Sequence, residues 1–226
     1  MAALLLLDVA GAHAQFDPGS RDDAEASHEH RRKPADPCLP HPLLYVSAMG
    51  EPFRAQAGGA DPMASWFAQA DANRDGKVTL AEFLADADRF FAKLDRNHDG
   101  EIDPQEVSAY EIEIAPEIRL YQRGAPVEAP DSRQRSRKGD DSYGGAMGAG
   151  RYAQLNIPEP VASADEDFNR GISKAEFEDT ARQRFSQLDT RHAGVLTITA
   201  MAPTPQQQLA ADCAARAAKD ATKKKK

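Results

Sequence analysis

Two twelve-residue segments with the same pattern of oxygen-bearing side chains restrict the fold of this 226-residue chain more than any other feature. Residues 71–82 read DANRDGKVTLAE and residues 95–106 read DRNHDGEIDPQE; we call them the first and second loops. Both carry Asp, Asn and Asp at positions 1, 3 and 5, glycine at position 6 and glutamate at position 12. This spacing predicts loops that turn alternate side chains inward around a hard cation.

The expected ligands follow from the needs of calcium, which takes about six to eight oxygen atoms. Glycine at position 6 permits a left-handed turn, position 7 offers its backbone carbonyl, and the glutamate offers both carboxylate oxygens. The first loop would bind through Asp71, Asn73, Asp75, Lys77, Thr79 and Glu82. The second loop would bind through Asp95, Asn97, Asp99, Glu101, Asp103 and Glu106.

Two weaker copies of the pattern follow. Residues 165–176, the third loop, read DEDFNRGISKAE, with the glycine displaced to position 7 and Arg170 at position 6. Its predicted ligands are Asp165, Asp167, Asn169, Gly171, Ser173 and Glu176. We expect it to bind calcium, but more weakly or in an altered geometry. Residues 189–200, the fourth loop, have lost most ligands, including the glutamate, and we expect no calcium there.

The spacing of the loops predicts how they pair. In each half the two loops begin 24 residues apart, so only 12 residues separate them. Twelve residues form one helix of about 18 Å, which places the loops of one half at opposite ends of a shared helix. Each loop must therefore pair with a loop of the other half. We expect Val78 of the first loop to face Leu196 of the fourth, and Ile102 of the second to face Ile172 of the third.

Local signals support helices around these loops. Thr79 with Glu82, and Asp103 with Glu106, form capping boxes at the start of the exit helices. Apolar side chains at helical spacing predict a core around the first two loops; they are Trp66, Phe67, Phe83, Phe90, Phe91 and Leu94. Pro158 and Pro160 occupy the place of the helix that would enter the third loop, so we expect that helix to be short or absent.

These motifs resemble those of the EF-hand family, over residues 62–120 and 158–201. The resemblance implies an all-α, EF-hand-like fold of two duplicated two-loop units with loops paired between units, and Ca²⁺ as the bound ion. The doubled unit also resembles small secreted EF-hand proteins of bacteria. The short separation is similar to that of the lanmodulin family of periplasmic lanthanide-binding proteins, whose loops carry proline at position 2; this chain has Ala72, Arg96, Glu166 and Thr190 there.

The N-terminus predicts export. Residues 1–14 contain four consecutive leucines and end in Ala-His-Ala, a small-x-small pattern typical of a signal-peptide cleavage site. The alternative is a short buried helix or a ragged end. We expect a periplasmic or secreted protein, in which Cys38 and Cys213 either form a disulfide or stay as two thiols.

The remaining segments complete the predicted organisation. Residues 15–61 are expected to be largely disordered or extended, although Leu43–Val46 suggests a short strand or an apolar plug on the core. The two EF-hand units span 62–120 and 152–201, joined by a flexible linker over 121–151. Residues 202–226 form an Ala- and Lys-rich tail, interpreted as a frayed helix.

Composition and the absence of certain motifs restrict the functions that this chain can have. Lys and Arg number 28 against 36 Asp and Glu, a net charge of −8, which argues against nucleic-acid binding. No apolar run approaches the length of a membrane span, and no catalytic fingerprint is present. We expect non-enzymatic calcium binding, in a buffering, structural or sensing role. The alternatives are binding of lanthanides or other metals, and a calcium-dependent adaptor with an unidentified protein target.

Overall fold

A computed structural model describes residue 38 and residues 43–55, 59–119 and 145–223. The predicted signal segment, most of the predicted linker and the last three residues lie outside these ranges. The helices are α1 (Pro62–Ala70), α2 (Leu80–Leu94), α3 (Pro104–Ala109), α4 (Lys174–Leu188) and α5 (Pro205–Lys223). The strands are β1 (Leu44–Val46), β2 (Pro52–Arg54), β3 (Val78–Thr79), β4 (Glu101–Ile102), β5 (Ile172–Ser173) and β6 (Val195–Leu196).

The helices fit an EF-hand fold, but the class all-α is incomplete. The described residues also form three two-stranded antiparallel sheets, β1–β2, β3–β6 and β4–β5. The two sheets between loops arise because neighbouring loops exchange backbone hydrogen bonds at their eighth positions. The third sheet is a hairpin in the segment that precedes α1.

The pairing of loops between the two halves is as the helix length predicts. Val78 pairs with Leu196 across β3 and β6, and Ile102 pairs with Ile172 across β4 and β5. Helix α2 leads from the first loop to the second, and α4 leads from the third to the fourth. Both helices have 15 residues, so each carries its two loops at opposite ends.

Helices α2 and α4 pack antiparallel through two aromatic contacts. The ring of Phe83, near the start of α2, lies 5.6 Å from that of Phe185, near the end of α4. At the other end, Phe91 and Phe177 are 5.5 Å apart. All the side chains predicted to form the core are buried, including Trp66 and Phe90. Aromatic pairs at these distances add to the stabilisation from their buried area.

The hairpin β1–β2 differs from the expectation of a largely disordered or extended segment over 15–61. Leu44, Tyr45 and Val46 are all buried, and the ring of Tyr45 lies 5.5 Å from that of Trp66. The short apolar run is thus both a strand and a plug on the core. Because both of its faces are covered, it lacks the alternation that marks a half-exposed strand.

Two further expectations concern the helix before the third loop and the pairing of the two cysteines. No α-helix precedes the third loop among residues 145–164, where only short 3₁₀ turns occur at Gly148–Arg151 and Ala162–Ala164, as the prolines predict. Cys38 and Cys213 form a disulfide, which attaches α5 to the chain six residues before the hairpin begins. The backbone N–H of Leu44 also donates to Gln206 Oε1 at 2.9 Å, so the first turn of α5 contacts the hairpin, and the tail expected to be a frayed helix is helical over Pro205–Lys223. Within the described ranges, no helix combines the length and the apolarity that crossing a bilayer requires.

Candidate metal centre

All four loops share one backbone turn. The residue at position 4 has a positive φ in each: Arg74 (61°), His98 (60°), Phe168 (61°) and His192 (53°). Position 6 is also left-handed in each: Gly76 (80°), Gly100 (88°), Arg170 (79°) and Gly194 (71°). For Arg170, a residue with a Cβ atom, this conformation costs about 1–2 kcal/mol. The displaced glycine of the third loop therefore leaves the turn itself intact.

The first loop is closed by its own carboxylates. Asp71 accepts hydrogen bonds from the N–H groups of Asp75 (3.1 Å) and Gly76 (2.9 Å). Asn73 Oδ1 accepts from Asp75 N–H at 2.8 Å, and Asp75 Oδ1 accepts from Lys77 N–H at 2.9 Å. These bonds direct the side chains of positions 1, 3 and 5 toward the inside of the turn.

Glu82 closes the first loop from its other end. Its Oε2 accepts from the N–H and the hydroxyl of Thr79, at 2.9 and 2.8 Å, while Oε1 lies 3.4 Å from the donating N–H of Asn73. The backbone and side-chain hydrogen bonds from Thr79 hold the pKa of Glu82 below its usual value. The carboxylate is thus ionised at neutral pH, as a cation ligand must be.

The second loop repeats this arrangement. Asp95 accepts from Asp99 N–H (3.2 Å) and Gly100 N–H (3.0 Å). Asp99 Oδ1 accepts from Glu101 N–H at 3.0 Å. Glu106 is buried, and it accepts from the N–H groups of Arg96 (2.7 Å), Asn97 (3.3 Å) and Asp103 (3.0 Å).

The third loop brings its acidic ligands closest together. One carboxylate oxygen each from Asp165, Asp167 and Glu176 lies within 4.8 Å of the others. Asp165 Oδ2 accepts from Arg170 N–H at 3.0 Å, whereas Oδ1 is buried and accepts no hydrogen bond from the described residues. A buried carboxylate oxygen without a donor is unfavourable unless a cation compensates it. This set of hard oxygen atoms therefore fits calcium.

The helix starts place the twelfth-position glutamates. Glu82, Glu106 and Glu176 are each the third residue of their exit helix, and each belongs to a complete capping box. The boxes of the first two loops are those that the sequence predicts. The third box, formed by Ser173 and Glu176, was not predicted, although the same Ser-x-x-Glu spacing indicates it. Side-chain and backbone hydrogen bonds from Ser173 also lower the pKa of Glu176.

The fourth loop keeps the turn without the ligands. Both oxygens of Asp189 accept backbone bonds, from Ala193 N–H at 2.9 Å and from Gly194 N–H at 2.7 Å. These bonds, that from Ala193 foremost, lower the pKa of Asp189. A cavity beside the loop is lined in part by Arg191 and Ala200, which stand where positions 3 and 12 need oxygen donors.

The predicted ligands can be located loop by loop in the structure. Hydrogen bonds link predicted ligands within the first and second loops, and the carboxylates of the third loop lie within 4.8 Å of one another. Strands β4 and β5 place the second loop beside the third. At position 7, Lys77 and Gly171 directly precede a bridge strand and Glu101 is the first residue of β4; the backbone carbonyls of all three are predicted ligands. The identity of the bound ion and the participation of each ligand stay predictions.

Comparison with known protein families gives one result. The EF-hand model matches residues 63–85 and 87–109, which contain the complete first and second loops. Comparisons with curated proteins and with solved structures found no match. The two tandem matches, together with the turn that all four loops share, support an EF-hand protein.

Proposed function

We propose that this protein binds calcium through its first, second and third loops and has no catalytic role. The observation that carries the proposal is the combination in each loop of an inward-turned first aspartate and a twelfth-position glutamate held in a capping box. When bound, calcium supplies a compact divalent charge that offsets the repulsion among these carboxylates. The hydrogen bonds within each loop orient its oxygen donors.

The three loops should differ in affinity. The first two combine the full ligand pattern with glycine at position 6. The third loop holds Arg170 in a left-handed conformation, which costs about 1–2 kcal/mol. Its clustered carboxylates and the buried Asp165 Oδ1 favour a cation, so the loop is expected to bind, with lower affinity than the other two.

A structural or buffering role fits the architecture better than a sensing role. A sensor opens a methionine-lined groove between its helices when it binds calcium. Here α2 belongs to both loops of one half, and its contacts with α4 are aromatic and buried. Opening one pair of loops would separate the same two helices that hold the other pair. None of the methionines lies on α2 or α4, so no methionine-lined groove would open between these helices. The alternative to a structural or buffering role is a calcium-dependent adaptor with a protein target.

We also propose that the protein works in the periplasm or after secretion. Support comes from the disulfide between Cys38 and Cys213, since disulfides persist mainly in oxidising compartments. The predicted signal segment over 1–14 points in the same direction. Cell fractionation with a C-terminal tag would test this, and recovery of the full-length chain in the cytoplasm would contradict it.

The two halves are proposed to be copies of one two-loop unit. Support comes from the identical separation of 24 residues, from the equal length of α2 and α4, and from the equivalent positions of Phe83 and Phe177. The fourth loop is then a copy that lost its ligands while it kept its place in a loop pair.

Calorimetric titration of the oxidised chain with calcium tests the proposed function. We expect three sites, and Glu82→Gln, Glu106→Gln and Glu176→Gln should each remove one. Asp189→Ala is the matched control from the fourth loop and should leave the number unchanged. A fourth site in the wild-type chain that Asp189→Ala removes would contradict the assignment of the fourth loop. Absence of bound metal in equilibrium dialysis at millimolar calcium would refute the proposal as a whole.

Competition between calcium and lanthanum addresses the alternative ion. The twelve-residue separation of the loops is the main support for a lanthanide as the bound ion, whereas the lack of proline at position 2 of every loop argues against it. A lanthanide-binding protein must prefer lanthanum by many orders of magnitude. A preference of that size, measured with chelator-buffered ions, would replace calcium by a lanthanide as the physiological ligand.

A further inference from the structure

The displaced glycine of the third loop is not required by the backbone turn. Arg170 takes the left-handed conformation at position 6, with φ of 79°, in the place of Gly76 and Gly100. Gly171, at position 7, has no such positive φ. The backbone conformation at position 171 therefore does not itself require glycine.

The space beside Gly171 is occupied by the side chain of Glu101 from the second loop. A Cβ atom at position 171 would overlap the Oε1 and Cδ atoms of Glu101 and would lie 2.8 Å from its Cγ. Glu101 pairs with Ser173 in the β4–β5 bridge, so Gly171 is its diagonal neighbour on the same face. Glycine at this position admits the Glu101 carboxylate against the backbone of the third loop.

The other loop pair offers a direct comparison. There the seventh positions are Lys77 in the first loop and Val195 in the fourth, and Val195 pairs with Thr79. A lysine and a valine take the places of the glutamate and the glycine. Among the four described loops, a carboxylate thus faces a glycine only where a second-loop residue meets the third loop.

We propose that Glu101 is a positioning residue for the ion of the third loop, with its carboxylate acting across the bridge from the second loop. The inference rests on the proposed function, because it assigns a further residue to one of the three sites. The backbone carbonyl of Glu101 serves its own loop, while its side chain contacts position 7 of the neighbouring loop. Glu101 is exposed, so its negative charge would act on a cation in the third loop through solvent and be screened by salt. The third loop, the weakest of the three, is thereby supported by the second.

The three loops can be followed separately in the intact protein. The N–H at position 6 donates to the first aspartate of each loop: Gly76 to Asp71, Gly100 to Asp95 and Arg170 to Asp165. Ion binding at that aspartate changes the shielding of this amide. Two-dimensional ¹H–¹⁵N spectra recorded during titration with chelator-buffered Ca²⁺ or La³⁺ therefore give one midpoint for each loop.

Glu101→Gln tests the charge, because it keeps the shape of the side chain and the backbone carbonyl. The Arg170 midpoint for Ca²⁺ should rise about threefold to tenfold at low ionic strength, and this effect should shrink as salt is added. The midpoint for La³⁺ should rise more, about fivefold to thirtyfold, because the attraction scales with the charge of the ion. The Gly76 midpoint should stay within about twofold. Asp220→Asn on α5 changes the net charge equally and should leave the Arg170 midpoint unchanged.

Gly171→Ala tests whether the position of the Glu101 carboxylate matters, because the added methyl group displaces the flexible Glu101 side chain while its charge stays in the protein. It should weaken the third site as Glu101→Gln does. The double variant should be no weaker than the weaker single variant, since both changes remove the same interaction. Additive effects, or an Arg170 midpoint unchanged in Glu101→Gln, would overturn the inference.

Failure of the inference and failure of the proposed function are distinguishable. If the wild-type chain shows no midpoint at any loop, calcium binding itself is refuted. If it binds three ions and the variants give additive or absent effects at Arg170, only the role of Glu101 is refuted. Circular dichroism of each variant identifies any that has unfolded. If Gly171→Ala is unfolded, Glu101→Gln alone decides the inference, through the ratio of its Arg170 midpoint shift for La³⁺ to that for Ca²⁺.

Discussion

Val78 of the first loop is the antiparallel bridge partner of Leu196 of the fourth loop, and both side chains are buried. A loop that matches the full calcium-binding pattern is thus supported by one that lacks most of it. Asp189 maintains the turn of the fourth loop by accepting hydrogen bonds from its backbone. The fourth loop therefore has a structural role in the pair although it is not expected to bind calcium.

We predict that Leu196→Ala weakens calcium binding at the first loop. The side chain is 3% exposed, so its truncation should lower the free energy of unfolding by about 2–5 kcal/mol. The loss of support across the bridge should raise the Gly76 midpoint in the spectra and leave the Arg170 midpoint near its wild-type value. Ile198→Ala is the control, because Ile198 belongs to the same loop but is 36% exposed. Equal shifts at both amides would contradict a local effect.

Phe185→Ala should weaken both loop pairs together. Phe185 lies at the end of α4 against Phe83 of α2, and each of these helices joins two loops. Removing the ring should lower the free energy of unfolding by about 3–5 kcal/mol, measured by urea denaturation in calcium. Ile112→Ala removes a large apolar side chain that is 54% exposed, and its effect should stay within about 0.5 kcal/mol. A Phe185→Ala variant as stable as Ile112→Ala would show that the contact between α2 and α4 does not hold the halves together.

The loop pairing was predictable from the sequence because it follows from helix length. Twelve residues cannot form two helices and a turn, so the loops of one half cannot meet. The registers of Val78 with Leu196 and of Ile102 with Ile172 then follow from the eighth position of each loop. The capping boxes were equally predictable, since they depend on residues three positions apart.

The hairpin and the cross-loop contact were not predictable by the same means. Strand β1 has three residues and is buried on both faces, so it shows no alternation that could identify it. The contact of Glu101 with Gly171 depends on the diagonal geometry of a two-residue bridge. The buried Arg184, whose guanidinium donates to Ala48 O at 2.8 Å, lies at the interface with the hairpin and depends on the same tertiary arrangement.

The stability of the protein should fall between about pH 4.5 and pH 7 because of Glu159. Burial raises the pKa of this carboxyl from 4.5 to about 7, and its Oε1 accepts no hydrogen bond from the described residues. A group with a raised folded-state pKa contributes stability below its unfolded-state pKa, and that contribution is lost as the pH rises through the folded-state pKa. Glu159→Gln should therefore raise the melting temperature at pH 8 and change it little at pH 4. An equal change at both pH values would contradict this assignment.

The disulfide should contribute strongly to stability and little to metal binding. Cys38 and Cys213 are 175 residues apart in sequence, and their bond joins a residue six positions before the hairpin to the middle of α5. Closing so long a loop restricts the unfolded chain, so reduction should lower the free energy of unfolding by about 2–5 kcal/mol. Guanidinium denaturation in calcium, with and without a phosphine reductant, measures the difference. The number of calcium sites should not change, because neither cysteine lies in any of the four loops.

The Cys38→Ser/Cys213→Ser variant is the control. Its stability should equal that of the reduced wild-type protein and should be the same with and without the reductant. Coincident denaturation curves for the oxidised and reduced wild-type protein would show that the hairpin and α5 stay in place without the bond, held by contacts such as that of Leu44 N–H with Gln206.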